Sequence, residues 1–76
     1  MREIILTGWN PGLNKVALSK LLRDQAGMSL GDAKSAVDSI LEEQPVNIRI
    51  ESDELAERFL AEALELGAVG KFEKTQ

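Results

Sequence analysis

The spacing of apolar residues changes along the chain between a period of about two and a period of about 3.6 residues. A β-branched apolar run over residues 3–7 predicts a buried strand, and strict alternation over residues 46–51 predicts a half-buried strand. A weaker run over residues 68–73, which contains Gly70, predicts a third strand. Between these runs the spacing is helical in three segments, over residues 14–26, 29–42 and 52–67.

Capping residues mark the ends of the predicted helices. Asn14, Ser29 and Ser52 stand where a side-chain oxygen can accept a backbone N–H of the first helical turn. Gly27 and Gly67 follow the first and third segments, where a left-handed residue commonly ends a helix. These five residues therefore predict helix boundaries that periodicity alone leaves open.

The predicted elements follow in the order β-α-α-β-α-β, with an Asn-Pro-Gly sequence at residues 10–12 that fits a type II turn. The two successive helices make the second strand antiparallel to the first. A right-handed crossover through the third helix then places the first strand in the middle. We therefore expect an α+β fold with a three-stranded antiparallel sheet in the order 2-1-3 and three helices on one face. At this length, residues 1–76 are expected to form a single domain.

A helical wheel separates one apolar residue of the first helix from the others. The stripe expected to pack on the sheet consists of Ala17, Leu18, Leu21 and Leu22. Val16 lies on the opposite side, beside Ser19, Lys20 and Arg23, and Lys34 of the second helix extends this surface. One interpretation is a recognition patch with an apolar centre and a basic rim, directed at an acidic protein surface. The other is a single exposed valine of no functional meaning.

The remaining large apolar residues are assigned to the core or to its cover. Trp9, next to the predicted turn, is interpreted as a lid on the sheet edge. The apolar stripe predicted for the second helix consists of Leu30, Ala33, Val37, Ile40 and Leu41. The core face predicted for the third helix consists of Leu55, Ala56, Phe59, Leu60 and Ala63.

Charge is distributed unevenly along the 76 residues. There are 13 acidic and nine basic residues, for a net charge of −4. Residues 1–41 hold five basic and four acidic residues, whereas residues 42–76 hold four basic and nine acidic ones. The first half therefore carries +1 and the second half −5, and the overall acidity does not argue against a basic binding surface in the first half.

The composition excludes most catalytic chemistry. The chain has neither cysteine nor histidine, so the five serines have no imidazole base, and no cofactor or metal site is expected. The acidic group formed by Asp53, Glu54 and Glu57 is interpreted as a solvated first helical turn. With no apolar run near ~18 residues, no signal peptide and few aromatic residues, we expect a cytoplasmic, non-enzymatic protein that binds neither membranes nor nucleic acid.

Two stretches of the predicted helical pair resemble a known family. Residues 14–23 read NKVALSKLLR, residues 26–34 read AGMSLGDAK, and a valine follows at position 37. This spacing closely resembles the C-terminal domain of the bacterial ribosomal stalk protein, the acidic, multi-copy protein of the large subunit. The pattern of that family reads like N-K-V-x-V-I-K-x-V-R-x-x-T-G-L-G-L-K-E-A-K-x-x-V. Residues 52–54 and 66–68 are similar to later parts of the family, and the resemblance spans roughly residues 3–74.

The resemblance implies the β-α-α-β-α-β fold and a function in recruiting translational GTPases to the ribosome. In that family the contact surface lies on the first two helices, and the partners are elongation, initiation and release factors. Carried over by position, the implied partner-binding residues are Lys15, Val16, Ala17, Ser19, Lys20, Arg23, Gly27, Leu30 and Lys34.

Several positions depart from the family pattern. Ser19 replaces an isoleucine of the contact face, Gly31 replaces a lysine, and Gly70 stands where an inward valine is expected. Loss of one apolar contact and one cation is expected to weaken factor binding by roughly 1–3 kcal/mol. The chain begins at Met1 just before the first strand, without the family's N-terminal dimerisation segment. The chain is therefore expected to be either an excised domain or a stand-alone relative, and Met1 and the lengthened turn at residues 9–12 favour the stand-alone relative. We expect a monomer or a weak dimer.

Three alternative functions are less well supported by the sequence, which contains no histidine. An adaptor of the Clp-protease type resembles this fold, but its pocket for substrate N-termini is acidic and contains histidine. A relative that has lost the ancestral partner and associates with itself is a second alternative. The third, an enzyme acting on a small ligand, has no residue set to support it.

Overall fold

The computed structural model of the protein describes residues 2–73. Its elements are β1 (Arg2–Trp9), α1 (Lys15–Ala26), α2 (Leu30–Leu41), β2 (Val46–Ile50), α3 (Asp53–Glu65) and β3 (Ala68–Phe72). The three strands form an antiparallel sheet in the order β2-β1-β3. The predicted α+β fold and its topology are therefore confirmed.

The sheet buries one face under the helices and leaves the other exposed. Ile4 and Leu6 of β1 and Ile48 of β2 are fully or almost fully buried. On the same strand as Ile48, the neighbours Asn47 and Arg49 are exposed. This alternation follows from the period of two in a strand and agrees with a helical layer on one side only.

The core lies between the sheet and the helical layer. Phe59 of α3 is its largest fully buried side chain, and it is accompanied by Leu18 and Leu22 of α1 and Ile40 of α2. α1 packs against both α2 and α3, whereas α2 and α3 have little contact with each other. α1 is therefore the middle helix, and a groove lies on each side of it.

The predicted caps are confirmed. The side-chain oxygens of Asn14, Ser29 and Ser52 accept N–H groups of the first turns at 3.1, 3.1 and 3.3 Å. Gly27 ends α1 at a φ of 69°, and Gly67 follows α3 at a φ of 107°. Each helix thus begins with a satisfied donor, and two of the three are followed by a left-handed glycine.

The turn between β1 and α1 docks against the turn between α3 and β3. Gly12 has a φ of 93°, as a type II turn requires at its third position. The N–H of Asn10 donates to the carbonyl of Gly67 at 2.8 Å, and the N–H of Asn14 donates to the carbonyl of Leu66 at 2.9 Å. The start of α1 is therefore anchored to the end of α3 through the backbone.

β1 is longer than the sequence predicts, because it ends at Trp9 rather than at residue 7. An irregularity between Leu6 and Gly8 lets the strand continue its pairing with β3. The indole N–H of Trp9 donates to the carbonyl of Leu41 at 3.0 Å. The side chain therefore reaches from the end of the central strand to the C-terminus of α2.

Two residues assigned to the core are exposed. Leu30 is 53% exposed and Leu55 is 44% exposed, so their predicted places in the buried stripes are wrong. Both lie in the first turn of a helix, and neither packs against the buried core. Ala36 is buried on α2 although its stripe was predicted without it. α2, β2 and β3 each end one residue earlier than the sequence predicts.

Glu43, just after α2, has a left-handed backbone with a φ of 60°. That conformation strains an L-residue with a side chain, whereas glycine adopts it freely. We expect Glu43→Gly to raise the free energy of unfolding by about 0.5–1 kcal/mol in urea titrations. The neighbouring Glu42 has a φ of −91°. Glu42→Gly removes the same charge without relieving strain, and it should therefore destabilise; a gain from both variants would contradict the explanation.

Candidate functional site

A groove with a volume of about 760 Å³ lies between α1 and α2. α1 contributes Lys15, Val16, Ser19, Lys20, Arg23 and Asp24. α2 contributes Leu30, Lys34, Val37 and Asp38. Within each helix these residues recur at spacings that return to one side of the helix, so each helix presents a single strip to the groove. We call this surface the α1/α2 groove.

Three residues that line the α1/α2 groove are large and apolar: Val16, Leu30 and Val37. Val16, which is 82% exposed, follows directly on the capped start of α1. Leu30 is the first residue of α2, and Val37 lies two turns further along that helix and is buried. The exposure of Leu30 that contradicts its core assignment thus adds a second accessible apolar side chain to the groove.

Four cations line the same groove. Lys15, Lys20 and Arg23 lie on α1, and Lys34 lies on α2; all four are exposed. None of them forms an ion pair with another of residues 2–73. Their charges are therefore available to an incoming group without the breaking of an existing contact.

The groove has the opposite charge to the protein as a whole. Two anions, Asp24 and Asp38, line it together with the four cations, so that the lining carries a net charge of +2. The whole chain carries −4. A partner that recognises this protein by charge is therefore attracted to the groove and repelled by most of the remaining surface.

The structure brings together most of the site residues that the sequence predicts. Seven line the groove: Lys15, Val16, Ser19, Lys20, Arg23, Leu30 and Lys34. Ala17 faces α3 instead, and Gly27 lies beyond the groove in the left-handed position that ends α1. Sequence reasoning did not find Asp24, Val37 and Asp38. The two aspartates each follow a predicted lysine by four residues, which is the available signal for them.

A second, smaller groove of about 430 Å³ lies between α1 and α3. The amide nitrogen of Gln25 donates to the carboxylate of Glu62 across it at 3.0 Å. Asp24 and Glu65 also line this groove, with Ala17. The contact between Gln25 and Glu62 ties α1 to α3 and indicates a structural role for this side of α1.

The fold and the surface together define the class of this protein. It is an α+β domain whose helical layer carries a basic groove with apolar lining residues. No protein-family model matches the sequence, and no curated protein matches it either. Among residues 2–73, no helix is both long enough and apolar enough to cross a bilayer.

Proposed function

We propose that the protein is a non-enzymatic interaction domain that binds a translational GTPase factor through the α1/α2 groove. The partner class comes from the resemblance to the ribosomal stalk domain, which implies contacts on the first two helices. The observation that carries the proposal is the exposure of Val16 in a groove lined by four cations that have no ion-pair partner within residues 2–73.

The chemistry of the groove supports a protein surface as the ligand. Burying an exposed valine contributes about 1.5–3 kcal/mol, which gives a partner an apolar anchor. The cations of the groove orient an acidic partner surface and raise the rate of association, in addition to any contribution to affinity. An apolar centre with a polar rim is the usual anatomy of a protein interface, and binding energy concentrates near such a centre.

The proposal is tested by titrating the isotope-labelled protein with purified elongation factors and following backbone amide shifts by NMR. Shifts are expected on α1 and α2. The double variant Val16→Asp with Lys20→Glu places two negative charges in the groove, and we expect it to weaken binding by at least about 30-fold. Both residues are exposed, so the amide spectrum of the variant should keep the dispersion of a folded protein.

A matched control changes the same kinds of residue on another helix. Leu55 and Arg58 are exposed on α3. Leu55→Asp with Arg58→Glu should bind the factors as the unmodified protein does. Shifts confined to the sheet, the absence of shifts at high factor concentration, or equal losses from both double variants would each contradict the proposal.

A further inference from the structure

The outward side of α3 carries a charge opposite to that of the α1/α2 groove. Glu54, Glu57, Ala61 and Leu64 are exposed and follow one another at spacings of three or four residues, so they form one strip. Leu64 is 45% exposed. Arg58 is the one basic residue of α3, and the two glutamates leave the surface acidic around it. We call Glu54, Glu57, Ala61 and Leu64 together the α3 strip.

The α3 strip and the groove are complementary in both charge and polarity. The groove presents Val16 and Leu30 together with four cations, and the strip presents Leu64 on the same helix face as Glu54 and Glu57. Joining them would cover exposed apolar side chains on both surfaces. It would also place carboxylates next to cations that are unpaired within residues 2–73.

The arrangement of the helices prevents one chain from filling its own groove. α1 lies between α2 and α3, and the groove is on the α2 side of α1. The side of α3 that faces α1 is formed by Glu62, Glu65 and Leu66, none of which belongs to the strip. The strip and the groove are thus on different flanks of the helical layer, and their contact requires two molecules.

We propose that the α3 strip of one copy docks in the α1/α2 groove of a second copy. The two surfaces differ, so the association is head-to-tail and leaves one free groove and one free strip. The apolar area is small and each copy carries −4, so the contact is weak and observable at about millimolar protein. The groove is the one proposed for the GTPase factors, but the occupant differs; a second copy and a factor would compete for it.

Two variants separate the halves of this contact. The groove variant, Val16→Asp with Lys20→Glu, keeps its strip, and the strip variant, Glu57→Lys with Leu64→Lys, keeps its groove. We expect the unmodified protein at about 1 mM to show concentration-dependent amide shifts on α1, α2 and α3. Each variant alone should self-associate at least about tenfold more weakly. Adding unlabelled strip variant to labelled groove variant should restore shifts, and only at residues 54–64.

The control is Glu51→Lys, which reverses an exposed charge outside α3 and should leave self-association unchanged. No concentration-dependent shift in the unmodified protein would overturn the proposal. Shifts restricted to the sheet, or a mixture of the two variants that behaves as each does alone, would overturn it as well. The self-association experiment contains no GTPase factor, so its result does not depend on the proposed function. The strip variant keeps an intact groove, so factor binding can be measured even if self-association is absent. The two proposals can therefore be contradicted separately.

Discussion

Replacing Gly67 with alanine is expected to remove about 2–4 kcal/mol from the free energy of unfolding. The φ of Gly67 is 107°, a conformation that a residue with a Cβ adopts only with strain. An added Cβ would lie 2.9 Å from the Cα of Leu13, and because that atom belongs to the backbone, no side-chain rotation relieves the contact. The total free energy of unfolding of a domain of this size is about 4–11 kcal/mol, so the expected loss is a large share of it.

Thermal unfolding followed by circular dichroism measures this effect, and the midpoint should fall by more than about 10 °C. Gly31→Ala is the matched control: it makes the same chemical change on α2, where an added Cβ meets nothing within 4 Å. It should stabilise by up to about 1 kcal/mol, because alanine is the better helix former. Equal unfolding temperatures for the two variants would contradict the explanation that the close contact between Gly67 and Leu13 contributes to stability.

The second large effect is expected at Gly70, in the middle of β3. A Cβ there would lie 2.5 Å from Cδ2 of Leu6 and 2.7 Å from the carbonyl oxygen of Ile5. Leu6 is fully buried, so its side chain has little room to move, and the carbonyl oxygen belongs to the central strand. We expect Gly70→Val to cost at least about 3 kcal/mol, and Gly70→Ala to cost less because it adds no further methyl groups.

Urea titrations compare these variants with Gly8→Ala in the neighbouring strand. Gly8 is buried like the core residues around it, yet an added Cβ meets nothing within 4 Å there. Gly8→Ala should therefore leave the unfolding midpoint nearly unchanged or raise it slightly. A Gly70→Val variant as stable as the unmodified protein would mean that Leu6 and the carbonyl of Ile5 do not occupy the space next to Gly70.

The order and direction of the elements could be predicted because local signals and periodicity agree. Asn14, Ser29 and Ser52 each predict a helix start, and the alternation over residues 46–51 predicts which face of β2 is buried. The extension of β1 to Trp9 could not be predicted in this way. The extension depends on a bulge that forms only through the pairing with β3. In the sequence alone, Gly8 is equally consistent with the end of a strand.

The site was only partly predictable, because helical periodicity gives the direction of a side chain but not its neighbours on other elements. The wheel places Val16 away from the core, and the structure agrees. On the same wheel Ala17 lies between the core face and the face of Val16. The position of α3 places it in the groove between α1 and α3. The exposure of Leu30 depends on where α2 begins relative to the core, and a single sequence does not contain that three-dimensional information.

The outer strands carry a consequence for how this protein behaves at high concentration. Within residues 2–73, β2 and β3 pair only with β1, so each leaves one edge free to template further strands. Each is five residues long and carries an exposed cation, Arg49 or Lys71, and Arg49 lies 3.5 Å from the carboxylate of Glu3. Short, charged edges oppose the growth of cross-β aggregates. The two free edges are thereby protected against strand-to-strand pairing between molecules.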